Sequence, residues 1–157
     1  MNVQNLVISN CEFNEKIEII GIAQSTITQC IFNYRSVLAI YFASMDFVNN
    51  IMSKSMLLVT HIKNNTIVIR NNNISDCSTC ISFNNNAYIV GKNHVNIQNN
   101  HLTNIPTTYN HIKEDNMYSK YTYEQVEEKI SNKCKFTIDS SNTLTNCGFT
   151  IDADIKN

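Results

Sequence analysis

The sequence predicts an all-β solenoid: a stack of about seven short coils with parallel strands, forming one domain over residues 1–157. Three observations predict it. A motif recurs six times, each copy alternates with a period of two, and the composition is dominated by 26 Asn and 22 Ile. Asn and Ile are both weak helix formers, which argues against a helical bundle. A hydrophobic share of 43% supports burial despite the high Asn content. The net charge of −1, with 16% charged residues, argues against nucleic-acid or electrostatic membrane binding.

The six copies are Leu6–Phe13, Ser25–Phe32, Met45–Met52, Ile67–Ile74, Val95–Leu102 and Asn142–Phe149. Their third-column anchors are Ile8, Ile27, Phe47, Ile69, Ile97 and Leu144, at successive intervals of 19, 20, 22, 28 and 47 residues. The last interval is expected to hold two turns and an insertion. Anchors are wholly apolar and the next column is mostly polar, as for a strand with one face inward. About 20 residues accommodate three short strands and three bends, and such a unit buries its apolar face only against its neighbours. Further strands are visible at Ile17–Ile22, Val37–Phe42, Met56–Val59 and Ile81–Phe83.

Bends require positive φ, which Asn tolerates better than other non-glycine residues. This explains how three glycines suffice, with Asn71–Asn73 and Asn84–Asn86 expected at bends. The fourth repeat position is Cys11, Cys30, Asn50, Asn72, Asn100 and Cys147, a column able to form an amide ladder along the stack.

From about 103 to 131 the rhythm breaks. Pro106 and Thr107–Asn110 read as loop. Thr122-Tyr-Glu-Gln125 resembles a capping box, opening a lateral helix near 122–131 with Tyr123, Val126 and Ile130 on one face. Ile130–Phe136 reads as a degenerate repeat.

Cys77-Ser-Thr-Cys80 has redox or half-zinc-site spacing, but no second ligand pair accompanies it. Free thiols and no metal are the expectation. The chain opens without a signal peptide, and Val37–Ala43, its most apolar stretch, is too short to span a membrane. Neither end reads as a capping helix, so continuation into further coils, or end-to-end stacking, is expected. A cell-surface or extracellular location would follow if the chain is part of a longer one.

The φ-x-[N/Q]-[N/C]-x-φ copies resemble the right-handed, single-stranded parallel β-helix repeats of the pectin-lyase-like superfamily, and more loosely Asn-rich protist surface proteins. The resemblance covers residues 3–102 and 130–152 and implies the handedness. It transfers no catalytic site: the aspartate clusters, His-Gly and Arg-x-Lys elements of its polygalacturonases are missing from this sequence. Hydrolysis needs two carboxyl groups flanking the bond, and the outward face of the repeated strand offers only Asp46. Asp46, Arg70 and Gln98 are the ligand candidates on that face, with Asp46 and Arg70 expected to form a salt bridge. Asp139, Asp152 and Asp154 read as solvated, and His61, His94, His101 and His111 have no nucleophile at recognisable spacing. Thr26, Thr28, Thr143 and Thr145 suggest a threonine array, which Asp46, Val48, Val68 and Arg70 interrupt. The expectation is a non-catalytic module of a surface, adhesin-like or structural protein, without catalytic residues or cofactor, with glycans or proteins as partners. The alternative is a carbohydrate-active module using the outer face.

Overall fold

In the computed structural model, which describes residues 4–112 and 123–148, seventeen strands and one helix follow one another in a fixed rotation. The first circuit is β1 (Asn5–Ser9), β2 (Glu12–Phe13) and β3 (Lys16–Ile20). The second is β4 (Gln24–Thr28), β5 (Ile31–Phe32) and β6 (Val37–Tyr41). The third is β7 (Ser44–Val48), β8 (Ile51–Ser53) and β9 (Met56–Lys63). Then come β10 (Thr66–Arg70), β11 (Asn73–Ser75) and β12 (Thr79–Val90), followed by β13 (Asn93–Gln98), β14 (His101–Thr103) and β15 (Thr107–Ile112). Helix α1 (Tyr123–Lys133), β16 (Cys134–Ile138) and β17 (Thr143–Thr145) complete the described chain.

All pairing is parallel, in three sheets. The first runs β1-β4-β7-β10-β13-β16, the second β2-β5-β8-β11-β14-β17 and the third β3-β6-β9-β12-β15. Each circuit therefore adds one strand to each sheet. The anchors Ile8, Ile27, Phe47, Ile69 and Ile97 lie in register across the first sheet. Of these, Ile27, Phe47, Ile69 and Ile97 are fully buried. Phe13, Phe32, Met52, Ile74 and Leu102 form the matching column of the second sheet, and the Phe13 and Phe32 rings stack 5.0 Å apart.

Among the described residues positive φ is confined to three corners. Between the first and second sheets it falls on Asn10, Gln29, Asn49, Asn71 and Asn99, and between the second and third on Arg35, Lys54, Asp76, Asn104 and Asn146. On return to the first sheet it falls on Gly21, Phe42, Asn64 and Gly91. Asn takes seven of these fourteen positions and glycine two. Gly91 is the exception that sterics demand: a Cβ there would lie 2.0 Å from Asn64 Oδ1.

The Asn ladder runs beside the first corner. Asn50, Asn72 and Asn100 are buried, and Asn72 Oδ1 accepts from both the backbone N–H of Asn50 (2.8 Å) and its side-chain amide (3.2 Å). Asn100 Oδ1 serves Asn72 in the same way, and Asn142 Oδ1 serves Asn100. The last rung is Asn142, not Cys147. The expected sixth copy was one corner out of step: Ile138 lies opposite Ile97, whereas Leu144 lies opposite Leu102. Asx geometry at Asp139, whose carboxylate accepts from the Ser141 N–H at 3.0 Å, takes up one additional residue there and hides the motif.

Three further expectations are corrected. The described residues form five full circuits and two strands of a sixth, not about seven, because Ile97 to Ile138 is a single long circuit. Thr107–Asn110, expected as loop, belongs to strand β15; Pro106, which has no N–H to give, stands just before the strand. Asn84–Asn86 form no corner but lie inside β12, where the register against β9 shifts between Phe83 and Tyr88. Helix α1 packs against β12, β15 and β16, with Ile130 fully buried in the core. Thr122 of the expected capping box lies outside the described residues.

Candidate functional site

The candidates on the first sheet are brought near one another but not into contact. Asp46 pairs in register with Thr26 and Val68, and Arg70 with Val48 and Gln98. Asp46 and Gln98 are half-buried and Arg70 is exposed. Asp46 and Arg70 form no ion pair; among the described residues the ion pair is Lys16 Nζ to Glu18 Oε1 at 2.6 Å. Thr26 and Thr28 sit on the first sheet and Thr143 and Thr145 on the second, so they share no surface. Asp152, Asp154 and the His111 side chain lie outside the described part.

The six cysteines carry free thiols. Burial pushes the Cys77 and Cys80 thiols upward, and that of Cys134 up to about 12. Thiolate is the reactive form, and both thiols of the C-x-x-C are buried in the core where the second corner enters β12. No group of three or more His, Cys, Asp and Glu side chains able to hold a metal occurs among the described residues.

Two features of the surface were not singled out from sequence. On the outside of the third sheet Ile20, Tyr41, His61 and Tyr88 occupy successive strands in register. Tyr41 stacks on His61 at 5.8 Å and 17°, and Phe42 leans against both His61 (5.2 Å) and Tyr88 (6.1 Å). Tyr41 donates its hydroxyl proton to Glu18 at 3.2 Å. His61 Nδ1 is buried without a hydrogen-bond partner, and burial lowers the pKa of the ring. The column arises because parallel pairing sets these positions opposite one another on successive strands, on one face of the sheet. Unequal spacings of 21, 20 and 27 residues between its members conceal it in the sequence.

The second feature is a groove of about 610 Å³ at the corner between the second and third sheets, lined among others by Tyr34, Arg35, Lys54, Met56 and Asp76. The Tyr34 ring is 60% exposed, with the Arg35 guanidinium carbon 4.8 Å from its centroid. Arg35 and Lys54 both adopt positive φ, where their side chains cost more than Asn or Gly would. Asp76 accepts from the Asn104 amide at 2.7 Å. An exposed ring flanked by a guanidinium suits stacking and hydrogen bonding to a polar ligand.

The chain matches no protein-family model, and comparison with curated proteins and with solved structures finds no significant similarity. What the fold and surface do must therefore be argued from their own geometry. No described helix is long and apolar enough to cross a membrane.

Proposed function

We propose that the three sheets are the faces of a right-handed, single-stranded parallel β-helix of the pectin-lyase-like kind. On this reading the chain is a non-catalytic repeat module of a surface, adhesin-like or structural protein. The observation that carries it is the gathering of fourteen positive-φ residues (twelve non-glycine, two glycine) among the described residues at three stacked corners, so that circuits of different length turn at the same places. The buried polar side chains at those corners are used in the stack: Asn50, Asn72 and Asn100 spend their amides on each other and on the carbonyls of Ile27, Phe47 and Ile69. Such a scaffold offers long, regular faces rather than a convergent catalytic cluster. Incubation with a panel of acidic and neutral polysaccharides is expected to give no cleavage. Cleavage that Asp46→Ala abolishes would overturn the reading.

A second reading, glycan recognition, is favoured by the groove at Tyr34 and Arg35. An exposed aromatic ring beside a guanidinium is a platform for a sugar ring and its carboxylate or hydroxyl groups. Glycan-array binding that Tyr34→Ala abolishes, while thermal stability is retained, would support this reading. A flat array would remove it.

A further inference from the structure

A pocket of about 230 Å³ opens where the third corner of the fourth circuit meets the C-terminal end of α1. Its lining holds Lys92, His94, Lys133 and Lys135 and no carboxylate. In a chain with net charge −1 and 12 Lys and Arg in all, this is a marked local concentration of positive charge. No described residue makes a hydrogen bond or ion pair with any of these four side chains.

The arrangement is imposed by the backbone. Asn93 is buried; its side-chain amide donates to the Lys133 carbonyl at 3.1 Å and to the Val90 carbonyl at 3.2 Å, while its Oδ1 accepts from the Asn65 N–H at 3.0 Å. The last turn of the helix is thereby tied to the corner. Asn64 Oδ1 holds the Lys92 N–H at 3.0 Å, and Gly91 leaves room for that contact. Parallel pairing of β13 with β16 then sets His94 opposite Lys135. Lys92 of the corner, His94 of β13, Lys133 of α1 and Lys135 of β16, all exposed, thus line one opening. The helix C-terminus, with its partial negative charge, offsets part of their mutual repulsion and opposes a bound anion, so binding has to come from the ammonium groups. Glu128, one turn earlier on α1, is exposed and does not line the pocket.

We propose that this pocket binds a single tetrahedral oxyanion, phosphate or sulfate, free or as the ester of a small molecule. The ammonium groups of Lys92, Lys133 and Lys135 would be its ligands and the His94 ring a further donor. Ammonium groups bind such oxyanions as point charges, and charge-assisted hydrogen bonds are about twice as strong as neutral ones. The small volume restricts the carrier to about a monosaccharide or less, since sites for larger ligands start at roughly 300 Å³.

The test is a two-dimensional amide NMR titration of the full chain at low ionic strength with inorganic phosphate, inorganic sulfate, glucose 6-phosphate and glucose 6-sulfate. Potassium chloride at matched ionic strength is the control. Saturable shifts confined to Gly91, Lys92, His94 and Lys135 are expected, with chloride giving none. Paired Lys92→Gln and Lys135→Gln substitutions should weaken binding by at least about tenfold. Lys133→Gln alone should weaken it less, and Arg35→Gln at the distant groove should leave it unchanged. Tighter binding of the free ions or of the esters identifies the source of the oxyanion, and either supports the site. Shifts that chloride reproduces, or affinity that survives the paired substitution in a folded chain, would overturn it.

Discussion

At the scale of single residues, the ladder amides and His61 make opposite contributions. Each ladder Asn hydrogen-bonds backbone groups buried beside the first corner. Asn72 donates to the Phe47 carbonyl at 2.8 Å and to Asn100 Oδ1 at 3.0 Å, and accepts from the N–H of Asn50. Removing its amide leaves at least two buried backbone groups unpaired, at about 1–3 kcal/mol each. Asn72→Ala is therefore expected to lower stability by about 2–5 kcal/mol in a urea titration; a loss below 1 kcal/mol would mean water replaces the amide. His61, by contrast, is neutral in the folded chain at a cost to acid stability. Burial lowers its folded pKa below the ordinary value of 6.5, so the unfolded chain binds more protons as pH falls. Stability is expected to be full above about pH 6.5 and to decline below it, until the folded ring also titrates. Glu18, whose pKa is lowered first by its hydrogen bond to Lys16, gives up its own contribution only below about pH 4.5, a separate window. His61→Phe keeps the stacked ring and should flatten the stability profile between pH 7.5 and 5; an unchanged slope would assign the acid sensitivity elsewhere.

At the scale of elements, what could be read from sequence depends on how much of the signal was local. Strands announced themselves through alternation, and the register of Ile8, Ile27, Phe47, Ile69 and Ile97 followed from a motif of constant length. The last copy was misread because both of the first two corners place a residue of positive φ, commonly Asn, after a short strand. The sequence around Leu144 at the second corner therefore mimics the first. Asn84–Asn86 misled for the related reason that Asn also serves a bulge within a strand. The aromatic column and the basic pocket were illegible, since both join residues from circuits of unequal length. Helix α1 was visible through its period, and Ile130, one of its expected apolar residues, is fully buried. Ile130→Ala should cost about 2–4 kcal/mol through lost transfer energy and a cavity beneath the helix. Hydrogen exchange in α1 should then rise while β4 to β10 stay protected. Equal loosening of all strands would show that the helix is integral to the stack instead of lateral to it.

At the scale of the whole molecule, circuits touch their sequence neighbours almost exclusively, so stability is set by the number of neighbours each circuit has. The interior strands are sealed on both sides: Met45 and Phe47 of β7 and Ile67 and Ile69 of β10 are essentially inaccessible. At the β1 side of the described stack the first-sheet column opens, while at the other side it stays closed, with Phe136 and Ile138 of β16 buried. Leu6 and Ile8 of β1 are half-buried, as is Leu144 of β17, although each packs on the core. Local opening requires breaking only the interfaces a circuit actually has, so protection should be graded along the stack rather than uniform. Native-state hydrogen exchange is expected to be slowest in β7 and β10, and faster by at least about tenfold in β1 and β17, where the backbone has one strand neighbour instead of two. Ile69→Ala and Ile8→Ala test the same gradient energetically. The first removes a fully buried side chain at about 2–5 kcal/mol, the second a half-exposed one at roughly half that. Equal costs, with β1 as protected as β7, would mean that the first circuit is covered as completely as the interior ones, and that the stack behaves as one cooperative block rather than a series of neighbour contacts.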